Sequence, residues 1–460
     1  MIPKSYIFPL PERRITETVR VQTTKKGRPR KVFRQGQARL SFTGKGVTAH
    51  GGMALVAAAL EGFGVRRHLQ ELTKDMDLGV RHETCRLLEQ LITLRFLGGE
   101  AVSDTRLLAE PSLLGLFDWP GVAHPATFSR RLQGFDYRHN LGLQSLVRQL
   151  SRRTEAAGAK LYAVDSTVVT VHGHQVAGAE VGYNPHKPGR CSFHPLLAVD
   201  VGGRSVVDGF LRPGSCSSNQ GLDGFLRKIV AESGGKAHDI VFRLDKGLTS
   251  GPVLETIEEL GCGYVAKYKL DPRVSARISR IRRWRSLGGG VFVASFRYQP
   301  LSWSKARRFV VIERHQKPKR EQQPQLGLFD LMEGRYQVMV TNQKLKAENV
   351  WRLYNRGVVV EQVIKELKND LAASSLRHQD FWASEALFLT GVIAYNLLNC
   401  LRRLALPGSL RTARLKKIAL LLLHIGANVV RSGRKLMIRL ARDHPMRTIF
   451  YRAMHALQAA

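Results

Sequence analysis

Residues 353–371 have the sequence Leu-Tyr-Asn-Arg-Gly-Val-Val-Val-Glu-Gln-Val-Ile-Lys-Glu-Leu-Lys-Asn-Asp-Leu. At about 3.6 residues per turn, one apolar stripe is formed by Val360, Ile364, Leu367 and Leu371, which predicts an amphipathic helix. Glu361, Lys365 and Lys368 lie on the adjoining face, and Tyr354 joins them if the helix extends back by one heptad. The segment therefore presents a carboxylate between cations and an aromatic ring. A solvated surface helix with a Glu–Lys pair is the alternative interpretation.

The charge of the chain indicates a polyanionic partner. Lysine and arginine number 72 against 37 acidic residues, which leaves a formal net charge of +35 over 460 residues. An excess of this size favours nucleic acid as the partner. An anionic membrane surface is the rival, but the longest apolar run considered, 418–425, is far shorter than the roughly 20 residues needed to span a bilayer. No membrane association is therefore expected.

Composition and cysteine usage indicate a globular protein from a reducing compartment. With 43% hydrophobic and 24% charged residues, the chain is long enough for two or three domains. The five cysteines are scattered without a Cys-x-x-Cys pair, which predicts free thiols and no zinc site. The first ten residues lack the basic-then-apolar pattern of a signal peptide. A cytoplasmic protein is expected.

The first 47 residues are basic and rich in Gly, Thr and Gln. This composition predicts an arm that stays flexible until it meets a phosphate backbone. Arg28 and Arg30 belong to a Gly-Arg-Pro-Arg tetrapeptide that resembles the core of an AT-hook, which binds narrow A·T minor grooves. A basic arm that binds DNA without sequence preference is the alternative.

Residues 48–155 have the apolar periodicity of helices, and they predict a helical DNA-binding domain. Pro125 is suited to begin a short helix whose early turns contain Arg130 and Arg131. This pattern is typical of a recognition helix. It is typical also of a helical cap with a solvated basic face.

Residues 156–270 predict an α/β fold with a mixed sheet. Strands are expected at 160–171, 239–245 and 263–269, a hairpin at 194–201 and 205–211, and helices at 219–232 and 252–260. Residues 271–350 contain strand-like runs at 291–298, 307–314 and 336–341, which predict a β-rich insertion. The core then resumes over 351–400, and 401–460 predict a helical, basic C-terminal region.

Three acidic residues suggest a metal site. Asp165 and Asp245 each end an apolar strand, and the helix quoted above contributes Glu361. Mg²⁺ prefers oxygen ligands, and two such ions about 3.5–4 Å apart stabilise the attacking and leaving oxygens of phosphoryl transfer. An Asp at the end of a strand more often caps a turn. The convergence of all three residues in a strongly basic chain favours a metal-dependent nuclease, because the metals relieve the repulsion between carboxylates.

The same residues carry a resemblance to a known family. Ala-Val-Asp165-Ser-Thr, Arg243-Leu-Asp245-Lys-Gly and the segment from Tyr354 to Lys368 resemble the Asp, Asp and Glu blocks of bacterial DDE transposases. The pattern is most similar to the insertion-sequence-four group and its thirteen-eighty-like branch. Residues 182–197 and the opening of the helical region at 48–55 are similar to that branch as well.

The resemblance implies a ribonuclease-H-like catalytic core with a β insertion before the Glu helix. It also implies two Mg²⁺ ions, with Mn²⁺ as a substitute, held by Asp165, Asp245 and Glu361. A homodimer on paired transposon ends and cut-and-paste chemistry on double-stranded DNA are further implications. In a bacterium, the protein would be cytoplasmic and associated with the nucleoid.

The signature of the group implies that Tyr354 and Lys368 handle the transposon-end strand. It also expects an arginine at position 357, where this chain has Gly357 next to Arg356. Either Arg356 substitutes for the expected arginine or the contact with the DNA end is weakened. Whether transposition needs a hairpin intermediate is left open.

Other candidate contacts lie outside these blocks. Lys365 and Lys368 are expected to hold phosphates. The Gly/Pro-rich loop after the first Asp contains His186, Lys187 and Arg190, which predict phosphate contacts or, alternatively, a structural role. A separate peptide in the insertion resembles the motif that docks bacterial proteins on the replicative sliding clamp. Its residues are Gln325, Leu326, Leu328 and Phe329, and a short packed strand is the alternative.

The sequence therefore predicts a DNA transposase, and two other functions stay open. One is a DNA-binding protein that descends from a transposase and has lost catalysis. The other is a nuclease that hydrolyses DNA without joining strands.

Overall fold

A nine-stranded mixed sheet with helices on both faces forms the centre of the molecule. The computed structural model describes residues 33–35, 38–40, 44–77, 82–173, 175–185, 187–315, 335–433 and 435–459. The strands are β1 (Phe33–Gln35), β2 (Ala38–Leu40), β3 (Val47–Thr48), β4 (Lys160–Ser166), β5 (Val169–Thr170), β6 (Glu180–Val181), β7 (Cys191–Phe193), β8 (Leu196–Asp200), β9 (Ser205–Phe210), β10 (Ile240–Leu244), β11 (Gly263–Tyr268), β12 (Arg285–Gly288), β13 (Val291–Tyr298), β14 (Arg307–Arg314), β15 (Tyr336–Thr341), β16 (Ala427–Ser432) and β17 (Lys435–Leu440).

Helices precede, flank and follow the sheet. The α-helices are α1 (Ala54–Gly62), α2 (Val65–Thr73), α3 (Thr84–Phe96), α4 (Pro111–Phe117), α5 (Pro125–Leu132), α6 (Tyr137–Arg152), α7 (Leu222–Glu232), α8 (Gly251–Glu259), α9 (Pro272–Ser279), α10 (Ala347–Arg356), α11 (Val359–Asn369), α12 (Phe381–Cys400), α13 (Leu415–Leu422) and α14 (Arg447–Gln458).

The middle of the sheet consists of parallel strands. Its strand order is β12-β13-β14-β15-β11-β10-β4-β8-β9. β4, β10 and β11 run parallel, and β8 and β9 continue the sheet as an antiparallel hairpin. These strands are rich in β-branched residues, which suit a pleated surface that is covered on both faces. The predicted mixed sheet and the predicted hairpin are confirmed.

The inserted strands extend this sheet and do not form a separate one. β13, β14 and β15 have the bounds predicted from the sequence. β15 pairs antiparallel with β11, from Val265↔Thr341 to Tyr268↔Val338. This pairing supplies the hydrogen-bond partners that β11 would otherwise lack as an edge strand. The insertion is therefore continuous with the strands that lead to Asp165 and Asp245.

Apolar side chains pack in a cluster on each face of the sheet. On one face, Tyr162 and Val164 of β4 pack with residues of α7 and α8. On the other face, Leu161 and Ala163 belong to a cluster that includes residues of α1–α6 and α12. The alternation follows from the two-residue period of a strand. The N-terminal helices therefore share one core with the sheet.

The helix α12 lies in the middle of that core. Asp380 caps its start, because the carboxylate accepts a hydrogen bond from the Ala383 amide at 2.9 Å. The helix packs against α3, α6 and β9. By length and composition, the segment Phe381–Ala405 could cross a bilayer, and 89% of its apolar window is buried inside the fold. The choice of 418–425 as the longest apolar run was therefore wrong. A helix that is apolar on all sides serves here as a core helix.

The C-terminal region is not wholly helical, so that prediction was wrong. Between α13 and α14, β16 and β17 form an antiparallel hairpin, and β3 pairs with β16 through Ala427↔Thr48 and Asn428↔Val47. The β-branched pair Val429-Val430 favours a strand here. The arm predicted to be flexible also contains structure, since β1 pairs with β2 and β3 joins this hairpin.

Several predicted DNA or partner contacts cannot be placed in this fold. Arg28, Arg30, His186 and the candidate docking peptide with Gln325, Leu326, Leu328 and Phe329 lie outside the described residues.

Candidate active site

Two aspartates meet where the central strands end. β4 and β10 pair in parallel up to Val164 and Leu244, and the next residues along these two chains are Asp165 and Asp245. Neighbouring strands lie about 4.8 Å apart, and residues in register point to the same face of the sheet. Strand pairing alone therefore brings the two carboxylates side by side.

Glu361 approaches the aspartates from the first turn of α11. A cavity of about 420 Å³, called here the carboxylate cavity, is lined by Asp165, Asp245 and Glu361 together. Cationic and aromatic side chains supply much of the remaining lining: Arg243, Lys267, Arg314, Arg335, Tyr336 and Tyr354. The three residues predicted as metal ligands thus face one cavity.

Burial of Asp165 shapes the electrostatics of the carboxylate cavity. Burial raises the pKa of the Asp165 carboxyl from 3.8 to about 6. The cation of Arg243 opposes this rise in pKa, whereas the charges of Asp245 and Glu361 add to it. The Ser166 amide also donates a hydrogen bond to Asp165 Oδ1 at 2.8 Å, which favours the ionised form. On balance, the ionised carboxylate lacks positive charge, which a bound cation would supply.

The donor atoms at this cavity fit a hard divalent cation, since Mg²⁺ prefers carboxylate oxygens. Within the described ranges, however, no group of three or more His, Cys, Asp or Glu side chains is already arranged to hold a metal ion. Glu361 is exposed, and its carboxylate accepts no hydrogen bond from any described residue. Its side chain is therefore free to turn towards the aspartates when a cation binds.

The segment 353–371 forms two helices and not one. α10 ends at Arg356 and α11 begins at Val359, with a turn at Gly357 and Val358 between them. A Cβ atom on Gly357 would lie 2.9 Å from Cγ and Cδ of Arg243, so the β10 side chain fills the space at this break. The condition under which Tyr354 would share the face of Glu361, one helix that extends back by a heptad, is therefore not met.

Tyr354 nevertheless contacts the carboxylate cavity from the last turn of α10. Its side chain is buried, and its hydroxyl donates a hydrogen bond to Asp245 Oδ1 at 3.2 Å. The Arg243 Cζ atom lies 4.5 Å from the centroid of the Tyr354 ring. Burial raises the pKa of Tyr354, so the hydroxyl keeps its proton and remains a donor. Its predicted contact with the DNA strand stays a prediction.

A second, larger cavity of about 1030 Å³ begins beside the C-terminal half of α11. Lys368 lines it, and its ammonium donates a hydrogen bond to the Val168 carbonyl at 2.9 Å. Burial lowers the pKa of Lys368. Lys187 and Arg377 line the same cavity, which we call the lysine cavity. Two of the lysines predicted to hold phosphates, Lys187 and Lys368, therefore line one cavity, whereas Lys365 lines neither this cavity nor the carboxylate cavity.

Four other predicted DNA contacts lie apart from these cavities. Arg130, Arg190 and Arg356 are exposed, and Arg131 is half-buried. In the described part of the chain, the lining of the carboxylate and lysine cavities includes none of them. The substitution of Arg356 for the arginine expected at position 357 stays a prediction. The DNA-binding roles of all four stay predictions.

Sequence reasoning missed four cations at the carboxylate cavity. Lys267 follows Ala266, which pairs with Leu244, so Lys267 is next to Asp245 across the sheet. Arg314 and Arg335 belong to the insertion, far from the aspartates in sequence. Arg243 precedes Asp245 by two residues and was visible in the quoted block, but no role was given to it. Only strand pairing shows that these residues share a cavity.

Comparison with known proteins gives a family and a structural relative. Residues 30–460 match the family model described as "Transposase DDE domain group 1". The chain is similar to a solved cryo-EM structure of the piggyBac transposase synaptic complex with hairpin DNA. That similarity has 12% sequence identity and a TM-score of 0.43, and it covers 87% of this chain and 81% of that chain. No curated protein matches the chain.

Acidic side chains gathered in one cavity are the arrangement that metal-assisted phosphoryl transfer uses. The family match covers most of the sequence. The chain belongs to the DDE transposases. The resemblance seen in the sequence blocks is thus confirmed at the level of this family, while the insertion-sequence-four group and a bacterial origin stay predictions.

Proposed function

We propose that this protein cleaves phosphodiester bonds at the ends of a DNA element and joins those ends to target DNA. The observation that carries the proposal is the placement of Asp165 and Asp245 where two adjacent parallel strands end, with Glu361 lining the same cavity. The net charge of +35 supports double-stranded DNA as the substrate.

We propose further that the catalytic core is ribonuclease-H-like. The order β9-β8-β4-β10-β11 supports this assignment, because β4, β10 and β11 are parallel and β8 is antiparallel to both of its neighbours. The inserted strands β12–β15 follow β11 and precede the helix that carries Glu361. A β insertion between the last core strand and the Glu helix is what the resemblance to DDE transposases implies.

Asp165, Asp245 and Glu361 would hold two divalent cations, with Mg²⁺ preferred and Mn²⁺ as a substitute. When bound, these ions would stabilise charge on the attacking and leaving oxygens of phosphoryl transfer. Tyr354 orients the Asp245 carboxylate through its hydroxyl. Lys267, next to Asp245, adds positive charge near the transferred phosphate. Lys187 and Lys368 would hold backbone phosphates in the lysine cavity.

The reaction would have two steps of the same kind. In the first, water attacks the phosphorus atom at the end of the element, the P–O3′ bond breaks, and the released 3′ oxygen takes up a proton. In the second, this 3′-hydroxyl attacks a phosphorus atom of the target strand, and the target 3′ oxygen leaves with a proton. Both steps use one site, since each is an in-line displacement at a phosphodiester.

The setting of this reaction is also a proposal. We propose that the protein belongs to the insertion-sequence-four group and acts in the bacterial cytoplasm, associated with the nucleoid and not with a membrane. It would act as a homodimer on paired DNA ends. The sequence blocks around Asp165, Asp245 and Glu361 support this group. Docking on the sliding clamp would use the peptide that contains Gln325, Leu326, Leu328 and Phe329.

A strand-transfer assay tests the proposed function. Labelled DNA from the flanks of the reading frame is incubated with the protein and a target plasmid, with Mg²⁺ or with EDTA. Joined products that need Mg²⁺ are expected, and Asp165→Asn should lose them while it still binds DNA. Cleavage without joining would instead identify a hydrolytic nuclease.

A DNA-binding protein without catalysis is the second candidate. Two observations favour it: position 357 is a glycine where an arginine is expected, and the neighbouring Arg356 is exposed. The DNA contact expected from that arginine would then be missing. In the same assay, DNA that is bound but remains intact with Mg²⁺ would support this candidate.

A further inference from the structure

Arg243 is a buried cation whose guanidinium has no hydrogen-bond partner. It lies on β10, between Ala163 of β4 and Val265 of β11, and only 4% of it is exposed. Among the described residues its guanidinium forms no hydrogen bond and no ion pair, and its Nε is fully buried without a partner. A buried guanidinium without an acceptor is costly to the folded protein. An anionic ligand would remove this cost.

The strand geometry directs Arg243 towards the carboxylate cavity. Asp245 directly follows β10 with an extended backbone, two residues after Arg243, and the two side chains therefore point to the same face of the sheet. Arg243 lines the carboxylate cavity together with the three acidic residues. Its guanidinium is held against the Tyr354 ring, with Cζ 4.5 Å from the ring centroid. A guanidinium over an aromatic ring is attracted to it, and its planar N–H groups form a fork that can bind an anion.

Gly357 provides the space that Arg243 occupies. A Cβ atom at this position would lie 2.9 Å from Cγ and Cδ of Arg243 and 3.1 Å from its Nε. Any larger residue at 357 would therefore displace Arg243 from the Tyr354 ring. Conversely, a side chain that grows from position 357 would enter the region where Arg243 now lies. The space beside the cavity can therefore hold a side chain from position 243 or from position 357, but not from both.

We propose that Arg243 binds a phosphate of the DNA strand that enters the carboxylate cavity, and that Gly357 is required for this placement. The inference rests on the proposed function, because it assumes a DNA strand at this cavity. Arg243 forms two parallel hydrogen bonds to the phosphate oxygens, a geometry that guanidinium and phosphate share. Arg243 thereby supplies, from β10, the guanidinium that the chain lacks at position 357.

The alternative is that Arg243 only balances the charge of the three carboxylates. Binding of a modified duplex separates the two roles. The terminal duplex of the element is prepared with one uncharged methylphosphonate at a time in place of each phosphate near the cleavage position. Affinity is measured without divalent metal, for the wild-type protein and for Arg243→Gln.

For the wild-type protein, one methylphosphonate should weaken binding by about 10- to 100-fold, as expected for the loss of a charge-assisted hydrogen bond. The same modification should leave the affinity of Arg243→Gln unchanged. On unmodified DNA, the salt dependence of log Kd should have a slope smaller by about one for Arg243→Gln. Arg227→Gln, which removes one exposed surface charge on α7, is the matched control and should respond like the wild type.

Equal losses for the wild type and Arg243→Gln at every modified phosphate would overturn the proposal. Thermal denaturation checks that Arg243→Gln is folded. If it is not, Gly357→Ala provides the test, because it keeps the charge of Arg243 but displaces its side chain; it should lose the same phosphate response. Cleavage by Asp165→Asn would contradict the proposed function by itself. The metal-free affinity would still report on Arg243, so the two failures are distinguishable.

Discussion

Asp165→Asn is expected to stabilise the metal-free protein while abolishing DNA cleavage. In the folded protein, burial raises the pKa of Asp165 from 3.8 to about 6. A difference of that size corresponds to roughly 3 kcal/mol of stability lost when the carboxylate is ionised. Because Asp165 is only partly buried, solvent screening lowers the expected gain from Asn to about 1–3 kcal/mol.

The pH dependence of this gain identifies its origin. Since the folded pKa lies above the unfolded value, the folded wild type loses stability as the pH rises from about 4 to about 6, and the full cost is present above that range. Asparagine has no charge to lose or gain. The difference in unfolding free energy between wild type and variant should therefore grow between pH 4 and pH 7.5 by about 1–3 kcal/mol.

Chemical denaturation in EDTA at pH 4 and pH 7.5 measures the difference, and the gain should appear only at the higher pH. Asp75→Asn removes an exposed carboxylate and serves as the control, for which no such growth is expected. Mg²⁺ should stabilise the wild type more than Asp165→Asn, because ligand binding to the folded state raises its stability. If the unfolding free energies of Asp165→Asn and the wild type differ by the same amount at both pH values, this reasoning is refuted. Retained cutting by Asp165→Asn would remove Asp165 from the site.

Three further substitutions test individual contacts. Tyr354→Phe keeps the ring but removes the hydrogen bond to Asp245 Oδ1. The cleavage rate should therefore fall by about 10- to 100-fold, with DNA affinity nearly unchanged. A rate equal to that of the wild type would contradict the role of Tyr354 in orienting Asp245. Lys368→Met should weaken DNA binding and reduce the slope of log Kd against log salt by about one; anisotropy titrations at several salt concentrations measure it, and an unaltered slope would count against a phosphate contact. Asn396→Ala leaves the backbone groups of Val206 and Val147 without their buried hydrogen-bond partner. The free energy of unfolding, measured by urea denaturation, should fall by about 2–4 kcal/mol. A fall below about 1 kcal/mol would mean that water replaces the side chain.

Much of the sheet could be predicted from local patterns. The bounds of β13–β15 and the β8–β9 hairpin follow from β-branched runs and turn residues. The C-terminal hairpin β16–β17 was missed, because basic residues at helical spacing surround its short apolar strands. Its pairing with β3, hundreds of residues away in sequence, has no local signal.

The candidate site was predicted in part. Asp165 and Asp245 end strands, and a strand end next to a parallel neighbour places a side chain at a sheet edge, so their proximity could be anticipated. The cations around them could not, since Lys267 depends on the β10–β11 register and Arg314 on the insertion that extends the sheet. The break between α10 and α11 was hidden because both helices continue one apolar stripe.

By itself, the amino-acid sequence determined the α/β class, the excess of positive charge, and the three acidic residues of the DDE blocks. These features depend on residue type and on spacings of a few residues, which the chain states directly. The tertiary structure alone decided that Arg243 fills the space at Gly357 and that Tyr354 donates a hydrogen bond to Asp245. It alone also decided that the inserted strands add cations to the carboxylate cavity. Such contacts arise from strand pairing and side-chain packing between distant segments, whose energies depend on the whole fold and not on any local pattern.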